Sequence, residues 1–195
     1  MRHLTRTIIL AATLAVLAAA AAACGSDGGG GGAEKQTYTN AQYGFEMTYT
    51  DPLSPVTISP FGEEAYAIAF AEKDGPLVDD QYVNGIRVSV LELEQAIEPA
   101  DVAKLKEGMT QVLEERVAGL SGGETTSEVT AIELNGTPGF RQDYRFTMGG
   151  EEIACRLTIL IKGTYEFDIT ETAVAGDWDA LSPTLDQAVQ SFTLE

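Results

Sequence analysis

The sequence predicts an α+β fold, an antiparallel β-sheet with two main helices packed on it. Within the 195 residues, segments of alternating apolar and polar side chains are joined by short turns that contain glycine, which is typical of antiparallel strands. Two segments, 99–119 and 177–192, repeat apolar residues at three- and four-residue steps, as amphipathic helices do. Strands and helices follow one another in blocks without βαβ alternation, and this favours an α+β sandwich over a parallel sheet.

The first strands are predicted in two pairs. Residues 37–49 form a hairpin that turns near Asn40, and residues 65–70 pair with residues 86–90. The acidic segment Glu72–Asn84 connects the second pair as a loop of 13 residues. A loop of this length is uncommon in a compact domain and is often functional, so we expect a partner contact there.

The later part of the chain is predicted to form a helix, then four strands, then a last helix. Pro99 opens the first helix, and four strands follow it, with turns at the three glycine-containing pairs Asn135-Gly136, Gly149-Gly150 and Lys162-Gly163. The last helix begins near Asp177 as its N-cap and restarts at Pro183. The residues expected to face a core are Val102, Leu105, Met109, Val112 and Leu113 in the first helix, Ile153, Cys155, Leu157, Ile159 and Ile161 in one strand, and Leu181, Leu185, Ala188, Val189 and Phe192 in the last helix.

Three short strings mark the start, the middle and the end of this region. They are YGFEMTY at 43–49, NGTPGF at 135–140, and Trp178 with the closing pair Ser191-Phe192. Together they resemble the PsbP-like fold, and in particular the LpqN-type lipoproteins of actinobacteria, over residues 37–195. The resemblance implies an α/β/α sandwich that serves as an accessory or binding module, and it supplies no catalytic residues.

The N-terminus has the layout of a secretory signal. Arg2 and Arg6 precede an apolar, alanine-rich stretch, and small residues lead up to Cys24. A cysteine at this place resembles the lipobox of bacterial lipoproteins, which implies cleavage before Cys24 and acylation of its thiol. Because a single acyl chain binds a bilayer only marginally, the two or more chains of such lipoproteins hold a protein on the membrane durably.

The domain organisation follows from this N-terminus. Residues 1–23 are the lipoprotein signal peptide, residues 24–36 are the lipidated cysteine with a glycine-rich flexible linker, and residues 37–195 are the folded domain. Two alternatives stay open. An uncleaved membrane anchor is disfavoured because the 16 apolar residues before Cys24 are fewer than the ~20 that cross a bilayer. The second alternative is soluble secretion after cleavage at an Ala-x-Ala site.

Composition excludes several classes of function. Loss of Arg2 and Arg6 with the signal leaves 10 of the 12 basic residues beside 30 acidic ones, a net charge of −20 for the mature chain. Such a surface repels phosphates, so nucleic acid is excluded and anionic lipid headgroups are poor partners. The single histidine, His3, also leaves, which excludes Ser-His-Asp and Cys-His mechanisms.

The remaining reactive residue types give weak signals. Cys155 has no intramolecular partner once Cys24 is acylated, and its strand position predicts an inert, buried thiol. Two groups of aspartates are weak Ca²⁺ candidates without EF-hand spacing. Adjacent acids are expected by chance among 30 acidic residues, so a solvated surface is their default interpretation. The acid pairs are Glu63-Glu64, Asp79-Asp80, Glu114-Glu115 and Glu151-Glu152, and the aspartate groups are Asp74, Asp79 and Asp80 in the long loop and Asp177 and Asp179 at the last helix.

We therefore expect a membrane-anchored, extracytoplasmic lipoprotein that is not an enzyme. Cys24 is the site of lipidation, and no catalytic, cofactor-binding or metal-binding residue is assigned. The domain is expected to bind an envelope protein or a small apolar molecule. The alternatives are a carboxylate-dependent hydrolase of envelope polymers and a purely structural envelope component. An apolar cavity would favour ligand binding, two converging carboxylates in a cleft would favour the enzyme, and a flat apolar patch would favour a protein partner.

Overall fold

The fold is built around one large antiparallel sheet. A computed structural model describes residues 34–195. The predicted signal peptide, Cys24 and most of the predicted linker lie outside these residues. The strands are β1 (Lys35–Asn40), β2 (Phe45–Thr50), β3 (Leu53–Thr57), β4 (Glu64–Glu72), β5 (Leu77–Val78), β6 (Gln81–Tyr82), β7 (Gly85–Ile97), β8 (Glu124–Thr125), β9 (Thr130–Leu134), β10 (Thr137–Met148), β11 (Glu151–Val174) and β12 (Thr193–Leu194), and the helices are α1 (Pro99–Val102), α2 (Lys106–Ala118) and α3 (Trp178–Gln190).

The large sheet has the order β3-β4-β7-β11-β10-β8, and β9 also pairs with β10. A second sheet has the order β1-β2-β12, and β5 pairs with β6 in a separate small hairpin. All these pairings are antiparallel. The predicted first hairpin and the predicted pairing of residues 65–70 with residues 86–90 are both confirmed. β1 begins at Lys35, so the last two residues of the predicted linker belong to a strand.

β11 folds back on itself at Lys162-Gly163. The amide of Ala175 donates to the carbonyl of Glu152 over 2.8 Å, whereas a straight strand would separate residues so far apart in sequence by about 75 Å. Gly163 has a φ of 60°, which suits a tight turn. The half 151–162 pairs with β10 and the half 163–174 with β7, so the predicted turn is confirmed. Five strands lie between α2 and α3 when the halves of β11 are counted separately, one more than the four predicted, because the two-residue strand β8 has no sequence pattern of its own.

Each face of the large sheet has its own core. One core contains β2, β3, β4, β7 and α3, with Phe45, Phe70, Phe167 and Phe192 fully buried. The other contains α1, α2, β10 and the β5–β6 hairpin, and the predicted strand face from Ile153 to Ile161 is buried in it. A helix therefore packs on each face, and the predicted α+β sandwich is confirmed.

The first helix differs from the prediction because it is interrupted. Ala103–Leu105 is a 3₁₀ turn between α1 and α2. Val102, Met109 and Leu113 of the predicted stripe face the core, and Val117 extends it. Leu105, which lies in the 3₁₀ turn, and Val112 are exposed, contrary to the prediction.

The last helix has the predicted apolar face and begins after Asp177 as predicted, but it lacks the predicted cap and the predicted restart. Asp177 is the N-cap residue, yet its carboxylate caps no backbone N–H and instead accepts from Nδ2 of Asn84 over 3.1 Å. Pro183 lies inside the continuous helix and does not restart it. Its ring removes one backbone donor, and packing of the buried face keeps the helix intact.

Candidate functional site

An apolar cavity of about 480 Å³ lies on the α2 side of the large sheet. Its wall comes from β3, β4, β7, β10 and both halves of β11, and the β5–β6 hairpin covers one side. Most of its lining is apolar, with threonines and Arg87 at its sheet wall. The lining residues are Val56, Ile58, Ala69, Asp80, Gln81, Tyr82, Val83, Arg87, Phe146, Met148, Ile153, Thr170 and Thr172.

The alanines of β4 explain why there is space. β4 alternates Tyr66, Ile68 and Phe70 on the α3 side with alanines on the other side. Ala69 lines the cavity, and a larger side chain there would fill the space. α2 lies further along the sheet, where it contacts β8 and β10. Short side chains and the position of the helix together leave a concave apolar surface.

The predicted acidic loop forms the cover of this cavity. Within Glu72–Asn84, Val78 and Val83 are buried in the core on the α2 side. Asn84 is also buried, and its Nδ2 donates to Oε2 of Glu72 over 2.7 Å while its Oδ1 accepts from the amide of Val174 over 2.9 Å. The loop is therefore packed on one side, whereas its length suggested a free loop; the partner contact expected there stays a prediction.

A hydrogen-bonded polar group borders the cavity at Arg87. Nε of Arg87 donates to Oγ of Ser89 over 3.0 Å, and Oγ of Ser89 donates to Oε1 of Glu64 over 2.8 Å. Arg87 also forms an ion pair with Glu64. The charge of this arginine is thus paired with Glu64, so Arg87 does not present a free cation to the cavity.

A second polar group lies between α2 and the same face of the sheet. Arg116 of α2 donates to Oδ2 of Asp168 over 2.9 Å, while Oδ1 of Asp168 has no partner. Burial raises the pKa of Glu166, and its neighbour Asp168 raises it further by repulsion. Burial also raises the pKa of Asp168, although the neighbouring Arg116 acts in the opposite direction.

Two converging carboxyls are the feature that would favour a hydrolase. Glu166 and Asp168 lie two residues apart on the same face of β11, and repulsion between them contributes to the raised pKa of Glu166. Glycoside hydrolases hold the scissile bond between two carboxyls in a cleft. Asp168 is also held by Arg116, in the manner of a buried structural ion pair. This geometry suits attachment of α2 to the sheet.

A charged cluster lies on the other face, under α3. Arg156 of β11 binds Asp143 of β10 and Asp186 of α3, with Nη1 within 2.9 Å of both Asp186 oxygens. Its guanidinium carbon also lies 5.6 Å from the ring centre of Trp178. Arg156 therefore fastens both the start and the middle of α3 to the sheet. A groove of about 560 Å³ beside this cluster is lined by charged and polar side chains.

Glu171 lies beneath the same helix. The fold-back of β11 places it directly across from Arg156, and its exposed fraction is 0 %. Neither carboxyl oxygen has a hydrogen-bond partner. Burial raises the pKa of Glu171 to about 8, and repulsion from Asp186 adds to the shift. The side chain is therefore a neutral carboxylic acid at neutral pH.

The predicted inert thiol is found where the strand pattern placed it. Cys155 is 2 % exposed, in the core on the α2 side. Burial raises the pKa of its thiol to about 12, although a hydrogen bond with Tyr144 acts in the opposite direction. A thiolate is thus strongly disfavoured, as expected of a structural cysteine. Cys24, the predicted lipidation site, lies outside the described residues.

The predicted acid pairs do not converge on one site. Glu64 joins the Arg87 group, and Asp80 borders the cavity, while Glu114 and Glu115 are on α2 and Glu152 pairs with Arg145. Among residues 34–195, no group of three or more His, Cys, Asp or Glu side chains is arranged to hold a metal ion.

Sequence reasoning missed the cavity, the Asp168–Arg116 pair and Glu171. A signal for Glu171 was present, because one acid interrupts the alternating row Phe167, Ile169, Ala173. The alanine row of β4 was the corresponding signal for the cavity. Its meaning depended on which side the helices cover, and that is a property of the tertiary structure.

Comparisons with known proteins place this architecture in the PsbP-like fold. No protein-family model and no curated protein matches the chain. The structure of cyanobacterial PsbP from Synechocystis sp. PCC 6803 is similar, with a TM-score of 0.58 and 16% identity over 88% of this chain and 98% of that one. The fold resemblance inferred from the sequence strings is therefore confirmed.

Two further structures share the fold. LpqN of Mycobacterium tuberculosis, a protein involved in cell envelope biogenesis, is similar with a TM-score of 0.52 and 12% identity over 83% of this chain and 90% of that one. A protein from Bacteroides thetaiotaomicron has a TM-score of 0.51 and 12% identity over 82% of this chain and 48% of that one. Within residues 34–195, no helix is long and apolar enough to cross a membrane.

Proposed function

We propose that this protein is a lipid-anchored, extracytoplasmic binding module that holds a small apolar molecule in the cavity beneath the β5–β6 hairpin. The observation that carries this proposal is the cavity of about 480 Å³ with its largely apolar lining. Ligand sites are typically concave and mostly apolar, with a few polar groups that fix orientation. Phe146, Met148 and Ile153 supply the apolar wall, and Arg87 and the threonines supply the polar groups.

The class of ligand follows from the charges around the cavity. Arg87 is neutralised by Glu64, and Asp168 is neutralised by Arg116. An anionic ligand would meet no free cation at these pairs, and the strongly acidic chain would repel it. An uncharged apolar molecule binds without any of these penalties. The lipid anchor at Cys24 belongs to the same proposal and rests on the lipobox resemblance.

The alternative functions have weaker support. Asp168 of the Glu166–Asp168 pair is held by Arg116, and neither carboxyl lines the apolar cavity. A protein partner would be favoured by a flat apolar patch, whereas the largest apolar surface beneath the hairpin is concave. LpqN, which shares the fold, is involved in cell envelope biogenesis, and this supports a role in the envelope.

The proposal is tested with N-phenyl-1-naphthylamine, an uncharged apolar probe that fluoresces in apolar surroundings. We expect saturable binding of one probe per mature chain. Ala69→Trp places a large side chain in the cavity and should weaken binding at least about tenfold, which corresponds to about 1.4 kcal/mol. Val112→Trp on the exposed part of α2 is the matched control and should bind like the unsubstituted chain.

Two controls separate loss of the site from loss of the fold. The melting temperature of Ala69→Trp shows whether it is folded, and Thr170→Leu is a second, smaller change at the cavity wall. Absence of saturable probe binding, or equal affinity of a folded Ala69→Trp variant, would refute the cavity as the binding site. If the probe does bind in the cavity, the protein is purified from its native envelope. Mass spectrometry of the apolar molecules extracted from it would identify the class of ligand.

A further inference from the structure

The chain enters the folded domain at the same end of the large sheet as the β5–β6 hairpin. Lys35 pairs with Thr50, two residues before Pro52. The carbonyl of Pro52 accepts from the amide of Lys73 over 2.8 Å, at the start of the segment that carries the hairpin. The start of β1 and the root of the hairpin therefore lie at the same end of the large sheet.

The outer face of this hairpin is apolar and exposed. Leu77 pairs with Tyr82, and their exposed fractions are 57 % and 53 %. Val78 and Val83, the residues next to them in sequence, point inward and are buried. Tyr82 also lines the cavity, so the exposed pair stands at the cavity's mouth. Single exposed apolar residues are common, but two paired across a hairpin at the mouth of an apolar cavity form a local patch.

The length of the N-terminal segment limits how far this end can be from the membrane. Ten residues lie from Cys24 to Ala33, ahead of the first described residue, Glu34. Even a fully extended segment of this length spans no more than about 36 Å. With Cys24 in the bilayer, a step that rests on the proposed lipid anchor, the start of the domain at Glu34 lies within this distance of the lipid, and the root of the hairpin is at the same end.

The charges near the patch select the kind of lipid surface. Asp79 and Asp80 form the tip of the hairpin, and Asp74 precedes it in the same segment. Anionic headgroups would be repelled by these carboxylates, whereas a zwitterionic surface has no net charge to oppose them. Leucine and tyrosine are suited to the boundary between headgroups and acyl chains, because tyrosine joins an apolar ring to a polar hydroxyl.

We infer that the Leu77–Tyr82 face of the β5–β6 hairpin docks on the bilayer that holds Cys24, with the mouth of the apolar cavity toward the lipid. This orientation gives an apolar molecule a path between the bilayer and the cavity that avoids crossing water. It also explains why an apolar pair stays exposed in a chain that is otherwise so acidic.

The test uses the mature chain, residues 24–195, coupled through its Cys24 thiol to a maleimide lipid in phosphatidylcholine vesicles. Cys155 is buried and does not compete for coupling. Amide hydrogen exchange is compared between the coupled chain and the free chain. We expect exchange in residues 76–83 to slow at least about threefold on coupling, while exchange in α2 stays unchanged.

Matched variants decide whether the two side chains cause the effect. Leu77→Ser with Tyr82→Ser should abolish the slowing without lowering the melting temperature, because both residues are exposed. Val112 on α2 has an exposed fraction of 52 %, similar to those of Leu77 and Tyr82. Val112→Ser is therefore the matched control, and it should keep the slowing of exchange. Vesicles containing phosphatidylglycerol should give a smaller effect than phosphatidylcholine alone.

Equal exchange in the coupled and free chains, or slowing confined to α2, would overturn the inferred orientation. Because the link to the vesicle is chemical, this result does not depend on whether Cys24 is acylated in the cell or on whether the cavity binds a ligand. Failure of the anchor is read from cell fractionation, and failure of the cavity is read from the probe titration. The three outcomes are therefore distinguishable.

Discussion

Glu171 is an acidic residue within an apolar row, and its protonation is coupled to folding. Ile169 and Ala173 flank it on the same face, under α3. The facing Arg156 is already bound to Asp143 and Asp186, so it compensates only part of the cost of burying the carboxyl. The folded domain therefore keeps Glu171 protonated at neutral pH, while an unfolded chain would release the proton above about pH 4.3.

This coupling predicts a pH dependence of stability. The folded pKa of Glu171, about 8, lies above the unfolded value, so the folded state binds more protons between the two. Stability should fall as the pH rises from about 4.5 to about 8, by up to about 1.4 kcal/mol for each pH unit. Glu171→Gln, which mimics the neutral acid, should flatten this slope and be more stable than the unsubstituted chain at pH 9.

The measurement is urea unfolding of both proteins at several pH values. Near pH 4 the two should have similar free energies of unfolding, since Glu171 is then protonated in both states. Glu166, whose pKa is also raised, leaves a residual slope in the variant. Parallel curves for the two proteins across the whole range would contradict the assignment of the slope to Glu171.

At the scale of elements, the β5–β6 hairpin changes the meaning of the long acidic segment. Its length predicted an exposed loop, but alternation at Leu77-Val78 turns one side chain out and the next one in. Val78 packs against Gly149 so closely that a Cβ at Gly149 would lie 2.5 Å from Cγ1 of the valine. The hairpin is thus held by packing on one face and is free on the other.

Leu77 and Val78, which face opposite sides of the hairpin, provide a matched test of its packing. Val78→Ala should lower the free energy of unfolding by about 1 to 3 kcal/mol, because it removes buried methyl groups and leaves a cavity. Leu77→Ala should change it by less than about 0.5 kcal/mol, because the side chain is exposed. Denaturant unfolding measures both. Equal, small effects would show that the hairpin contributes no packing and would restore the free-loop interpretation.

At the scale of the whole molecule, membrane attachment is predicted to depend on one residue. Residues 34–195 contain no helix suited to cross a bilayer, and residues 24–195 carry a net charge of −20. Two paired side chains on a hairpin are too small an apolar surface to hold such a chain on a membrane without acyl chains. The anchor is therefore expected to be the acylated Cys24 alone.

Cys24→Ser should accordingly release the protein from membranes. The measurement is fractionation of cells that express the full chain, with a high-salt wash of the membrane pellet. We expect the unsubstituted protein to stay in the pellet and the variant to move to the supernatant. Cys155→Ser is the control, since loss of a buried thiol should leave fractionation unchanged. A variant that still pellets after the wash would contradict the lipoprotein proposal.

The predicted elements and their partners agree with the structure wherever local pattern was sufficient. The alternation of apolar and polar residues correctly predicted which face of the strand Ile153–Ile161 is buried. The glycine-containing turns correctly predicted which strands pair with one another. Leu105 was wrongly placed in the core, because the 3₁₀ turn Ala103–Leu105 that contains it has no sequence marker. Asp177 was assigned to capping because its position in sequence does not reveal Asn84, a competing donor 93 residues away.

The sequence by itself determined the lipobox-like N-terminus, the acidic charge, the absence of histidine from the mature chain, and the α+β order of elements. These are properties of composition and of short-range periodicity, which do not require knowledge of distant contacts. The cavity, the Asp168–Arg116 pair and the buried Glu171 were decided by tertiary structure. Each depends on residues far apart in sequence that the fold brings together, and a carboxyl acquires a raised pKa only once its neighbours exclude water.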